Sequence, residues 1–311
     1  MRIIVRCFLF FLLSIVGVSH TYAAMRIRFH HDMSSTSPVH YGVEKFKEKL
    51  DELSNHKIQV NIYPNNVLGD DIYSTELLQL GVIHAAVIPT SKLANFHPPL
   101  KKLDYPFIFK DKLDAYQKLD GEMGNKLIQD LNKKGMIGLG FWEAGFKQIT
   151  CNNVFQRLTP DNPYPLNGIS VRIMSSPILF SQYKAAKALP LVIPFSELYV
   201  ALEHGIVKCQ ENPITTIATT KIYEVQNELL LSNHAYLGYV FIVSKSWYDT
   251  LSLEDKLQLR KAEQYARNLQ RQQVSNLEES YLKEILTNKH IRVVSPDYIS
   301  TLRKNFLLST Y

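Results

Sequence analysis

The stretch 57-KIQVNIYPNNVLGDDIYSTELLQLGVIHAAVIP-89 decides the architecture, because its hydrophobic period changes twice along its length. From Lys57 to Pro64 apolar and polar residues alternate, with Ile58, Val60 and Ile62 on one side, which predicts a half-buried strand. NNVLGDD is turn chemistry. IYSTELLQLG then predicts a helix closed by Gly81, and HAAVIP an apolar strand. Upstream, MRIRF (Met25–Phe29) alternates again and runs into the polar turn HHDMSSTSP. Tyr41–Leu53 sets Val43, Phe46, Leu50 and Leu53 at helical spacing. The resulting order, strand–helix–strand–helix–strand, predicts a parallel α/β sheet.

The same architecture returns after Gly135. MIGLGFWE, FKQITC and GISVRIM read as strands, 176–189 as a helix, LPLVI as a strand and 196–203 as a helix, followed by a loop and a QENP turn. No residue pattern repeats at a fixed period, so the halves share architecture rather than sequence. From Ser252 the character changes. The run 252–286 contains neither proline nor glycine, with Ser252 as N-cap and Asp255 completing a capping box. Leu257, Ala262, Tyr265, Leu269 and Val274 predict its apolar stripe. At ~1.5 Å per residue such a helix extends about 45–50 Å, long enough to lie across two adjacent domains.

Residues 1–23 read as a cleaved secretory leader: Arg2 and Arg6, an apolar run from Phe8 to Val18, then small residues ending at Ala23. Cys7 within it has no lipobox. The rest of the chain contains no apolar run long enough to span a bilayer. The formal net charge is +6, of which the leader arginines supply two. That excess favours small anions and contains no basic run dense enough for nucleic acid. Two cysteines follow the leader, Cys151 and Cys209. They could pair in an oxidising compartment, but sequence alone does not bring them within bonding range.

Catalytic signatures are missing: the chain has no GxSxG, no Walker loop and no HExxH. His30 and His31 are neighbours on a strand, point to opposite faces and do not share an ion easily. No metal and no cofactor is expected. The remaining candidates are polar groups at the ends of predicted strands, where α/β sheets bind small molecules. Arg172 lies in the apolar strand ISVRIM, and its guanidinium fork matches a carboxylate. Gln210 and Asn212 offer amides, and Phe195 an apolar wall.

Together these segments resemble the solute-binding subunits of tripartite ATP-independent periplasmic (TRAP) transporters, of the DctP type. The resemblance rests on LNGISVRIM, LVIPFSELYVALEHGIVKCQENP, IATTKIYEVQNELLLSNH, IYPNNVLGDD and LDYPFIFKD, which are colinear and cover the chain from Arg26 to the long helix. It implies an α/β fold of two lobes, the periplasmic-binding-protein fold, with the long helix spanning both. It also implies that Arg172 forms a salt bridge with a ligand carboxylate, that Asn212 contacts the same carboxylate, that Phe195 packs beside the ligand, and that Pro213 fixes a turn aiming the amide at the cleft. Asp71, from LGDD, would stand on the opposite cleft wall; the alternative is that it caps the following helix. Asp32 and Gln210 complete the ligand-binding set. Lys147 stands where many relatives carry an arginine, keeping the charge without the bidentate fork.

The expected organisation is a leader over 1–23, one lobe from 24–144 with about 238–277, and a second from 145–237 with about 278–311. The expected function is capture of a small organic acid in the periplasm and its delivery to the membrane permease of a TRAP transporter, by a monomer and without catalysis. The alternatives are a secreted enzyme using the cleft and a binding protein that reports to a membrane sensor.

Overall fold

The computed structural model describes residues 25–159, 161–287 and 290–308; the leader lies outside them. Among the described residues ten strands are formed: β1 (Met25–His31), β2 (Ile58–Tyr63), β3 (Ala85–Pro89), β4 (Met136–Cys151), β5 (Ser170–Ile173), β6 (Leu189–Val192), β7 (Cys209–Pro213), β8 (Glu228–Leu230), β9 (Tyr236–Ser244) and β10 (Arg292–Val293). The helices are α1 (Pro38–Leu53), α2 (Asp71–Gln79), α3 (Thr90–Leu93), α4 (Lys112–Asp120), α5 (Glu122–Gln129), α6 (Pro177–Ala185), α7 (Leu198–Glu203), α8 (Ile214–Thr219), α9 (Lys245–Thr250), α10 (Leu253–Thr287) and α11 (Asp297–Leu307). Strand order is β2-β1-β3-β9-β4-β7-β5-β6, with β8 on β4 and β10 on β8. The parallel trio β2-β1-β3 is the one that the alternation at 25–29 and 57–89 predicts.

The two lobes share one strand. The first half of β4 pairs antiparallel with β9, and its second half, Lys147–Cys151, with β7. The sequence reading divides this segment into two strands; in the structure it is continuous. Gly145 adopts φ +117, and register shifts at Gly138/Gly140 and Glu143/Gly145 bend the strand without ending it.

The QENP segment also differs from expectation. Cys209–Pro213 is a strand, buried throughout, and Pro213 marks its end immediately before α8. Its polar composition suggests a turn, but its backbone partners come from β4 and β5, distant in sequence. Cys151 and Cys209 face each other across the β4–β7 pair, Cα atoms 4.1 Å apart, and are joined by a disulfide. The expected helix at 196–203 begins as a 3-10 turn over Phe195–Glu197, and the helix predicted at 176–189 ends at Ala185.

The long helix is present as α10. Ser252 Oγ accepts from Asp255 N at 3.1 Å and Asp255 Oδ2 accepts from Ser252 N at 3.3 Å, a reciprocal cap. It packs on α1 and β4 in the first lobe and on α8 in the second, and Ile285 near its end joins the core of Leu198, Ile217 and Leu229. Its buried face is Leu259, Ala262, Ala266, Gln270 and Val274, whereas Leu257 and Tyr265 of the predicted stripe are exposed. A Cβ on Gly42 of α1 would lie 2.5 Å from Trp142 and 2.8 Å from Gln270, so the missing side chain is what lets α1 approach β4 and α10 this closely.

Candidate functional site

Arg172 stands on β5, between β6 and β7, and is 1% exposed. Its Nε donates to the Ile193 carbonyl at 3.0 Å, while Nη2 has no hydrogen-bond partner. The guanidinium lies 5.9 Å from the centre of the Phe195 ring. Burial pushes its pKa down to about 10, against the pull of Glu211 and Asp32, so it stays charged at neutral pH. A buried cation with an unused N–H is a natural partner for an anion.

The facing wall comes from the first lobe. Asp32 follows β1, Asp71 opens α2 and Lys92 lies in α3, just after β3. Lys92 Nζ is ion-paired to Asp71 Oδ2 and lies 3.4 Å from Asp32 Oδ2. Asp70, not Asp71, caps α2 by accepting from Tyr73 N at 2.9 Å, which removes the capping alternative for Asp71. His30 Nε2 holds the other Asp71 oxygen at 3.3 Å. Burial alone would raise the Asp71 pKa, but Lys92 and His30 outweigh it and hold the carboxyl well below the usual range. Asp32 goes the other way: burial and the neighbouring Asp71 raise it to about 7. Its Oδ1 has no hydrogen-bond partner.

Two cavities lie between these walls. One of about 90 Å³ is bordered by Asp71, Lys92, Arg172 and Phe195. The other, of about 270 Å³, is bordered by Asp32, Asn66, Phe195, Tyr199 and Thr220. Phe195 borders both. Lys92 was missed from the sequence; the available signal was its place directly after a parallel strand, where such sheets put their ligands.

Gln210 is paired with Arg172 in the β5–β7 register, and Asn212 follows two residues later on the same face. Asn212 Nδ2 donates to Gln210 Oε1 at 2.6 Å and Gln210 Nε2 to Thr150 Oγ1 at 2.8 Å, so the amides form a chain behind the arginine. Lys147 is 1% exposed and its Nζ is 2.6 Å from Glu211 Oε1. Glu211, which sequence reasoning passed over, also accepts from Tyr183 Oη at 2.9 Å and meets His234 Nε2 at 2.7 Å. Burial would raise Glu211, but Lys147 and His234 prevail and hold it well below the usual carboxylate range.

The walls are also tied to each other. Asp104 accepts from Ser91 in the first lobe and from Ser176 Oγ, 2.6 Å away, in the second. Asn95 Nδ2 donates to the Ser175 carbonyl at 3.3 Å.

Residues 29–306 match the family described as bacterial extracellular solute-binding protein, family 7 (DctP). The chain belongs to this family. The solute-binding protein is 37% identical to the C4-dicarboxylate-binding periplasmic protein DctP of Rhodobacter capsulatus, over 76% of this chain and 70% of that one. It is 31% identical to the 2,3-diketo-L-gulonate-binding periplasmic protein YiaO of Escherichia coli, over 81% and 76%. Among solved structures, a TRAP periplasmic solute-binding protein from Sulfurospirillum deleyianum with bound succinate superposes with a TM-score of 0.84 at 34% identity, covering 92% of this chain and 93% of that one. One from Polaromonas bound to D-erythronate gives 0.86 at 28% identity, with the same two coverages. These neighbours share its two-lobed α/β fold.

Proposed function

We propose that this solute-binding protein captures a small organic acid between its lobes and hands it to the membrane permease of a TRAP transporter. The observation that carries the reading is Arg172, buried, charged and with Nη2 unpartnered at the interlobe cavity. The relatives add support, since they are named for or solved with small carboxylates. In this reading Arg172 holds the carboxylate, and Phe195, Asp32 and Asp71 form the walls around the ligand. Asn212 and Gln210 back the arginine, and Lys147 acts from behind through Glu211. The protein is exported through its leader, acts as a monomer in the periplasm and carries out no chemistry.

In this reading one lobe is 24–144 with about 238–277 and the other 145–237 with about 278–311. Closure favours ligand only if the ligand contacts both lobes better when they are together. The pairing of Asp104 with Ser176 supplies part of the closed state's own contacts. Isothermal titration calorimetry against a panel of small carboxylates tests the binding step, with Arg172→Ala as the paired variant. Uptake of the ligand so found, in cells with and without this chain, tests delivery. Absence of binding to every acid in the panel would overturn the reading.

A further inference from the structure

The atoms left without partners at the cleft describe more than an anion site. On the second lobe the unused group is a donor, Arg172 Nη2. On the first lobe the unused side-chain groups are acceptors, Asp32 Oδ1 and Asn66 Oδ1, and both residues border the larger cavity. Thr90 Oγ1 is likewise buried and unpartnered. Lys92 on that wall is already engaged by Asp71 and shared with Asp32. Across the cleft the positive end is thus Arg172, and opposite it stand the ionised Asp71, already paired with Lys92, and the acceptor oxygens of Asp32 and Asn66.

Resting on the carboxylate reading above, we infer that the ligand is a hydroxylated monocarboxylate, with its carboxylate on Arg172 and its hydroxyls donating to Asp32 Oδ1 and Asn66 Oδ1. A second carboxylate at the far end of a dicarboxylate would face two aspartates and find Lys92 taken. An uncharged chain would leave the buried acceptors unsatisfied, which sites built for a hydroxyl penalise strongly. An ammonium at that end would sit beside Lys92, adding a like charge in a buried place. A hydroxyl donates without either cost. Asp32 is thereby a specificity-determining residue, distinct from the anchor Arg172.

Four acids of equal carbon number separate these cases: D-erythronate, succinate, butyrate and γ-aminobutyrate, each titrated into the mature protein by calorimetry. The expected order places D-erythronate first by at least about tenfold, the scale of one hydrogen bond to a charged group. Asp32→Ala should weaken D-erythronate by about tenfold or more and butyrate by far less, while Arg172→Ala should abolish binding of all four. Succinate or γ-aminobutyrate binding as tightly as D-erythronate overturns the inference and leaves the carboxylate reading standing. The same conclusion follows if Asp32→Ala weakens butyrate equally, a result that would reveal a general loss of the folded site. Failure of all four acids to bind overturns the inference, and failure of the whole carboxylate panel overturns the reading beneath it.

Discussion

At the scale of single residues, the site is a set of charges whose partners differ in kind. Arg172 has a backbone carbonyl, an aromatic face and an unused N–H, whereas Lys147 has Glu211. Truncating each should therefore fail differently. Arg172→Ala is expected to lose about 2–5 kcal/mol of ligand binding, the cost of removing one partner of a buried charge pair, with the fold intact by circular dichroism. Lys147→Gln strips Glu211 of its cation, and the expected loss is about 3–5 kcal/mol of stability, read by urea denaturation. Asp32 gives a third case. Its pKa is raised from 3.8 to about 7, so the folded state holds a proton that the unfolded state has released between those values. Stability from this group is full below about pH 4 and is lost as pH rises through 7. Asp32→Asn should accordingly be more stable than the parent at pH 8, by about 1–3 kcal/mol, with the advantage vanishing near pH 4. Thermal melts across that range check it, and an equal offset at every pH would contradict the assignment.

Among the elements, α1 and α10 meet at Gly42, where an added Cβ would be 2.8 Å from Gln270 and 2.5 Å from Trp142. Gly42→Leu is expected to force the seam apart at a cost of about 1–3 kcal/mol, visible as a lowered denaturation midpoint. The disulfide fixes β4 to β7 across a sequence separation of 58. Reducing it, or replacing both cysteines by serine, should lower stability by about 2–4 kcal/mol in the same assay. The elements also show what a reader of the sequence can and cannot see. α1 and β2 are legible because each buries one face, which Phe46, Leu50, Ile58 and Val60 record at the right period, and β3 because it is a short apolar run buried throughout. Pro213 and its polar neighbours mislead because β7 is buried on all sides, so its residues alternate between polar networks instead of between core and water. β4 reads as two strands because its glycines look like stops, and only pairing with both β9 and β7 makes it one. Arg172 was legible as an apolar-strand arginine. Lys92 and Glu211 were not, because a buried charge is recognisable only from the partners that fold against it.

For the molecule as a whole, the lobes are held by the cavity walls, by Asp104 and Ser176, and by α10 lying along both. Ligand adds to these contacts, so closure is a population shift that its differential affinity sets. Ser176→Ala removes an interlobe hydrogen bond and the N-cap of α6, which accepts from Leu179 N at 3.3 Å. The expected outcome is ligand affinity lowered several-fold, together with a larger radius of gyration in solution scattering before ligand is added. Unchanged scattering with unchanged affinity would show that this bond does not hold the lobes together.

The path of the chain has one more effect, on durability. The backbone passes from one sheet to the other inside β4, again between β8 and β9, and a third time along α10 toward β10. A protease that cuts a single passage leaves two others joining the lobes, and the two pieces stay together through strand pairing and core packing. The molecule thus survives a first nick as one particle: gel electrophoresis under denaturing conditions would show fragments, while size exclusion would show the original elution volume.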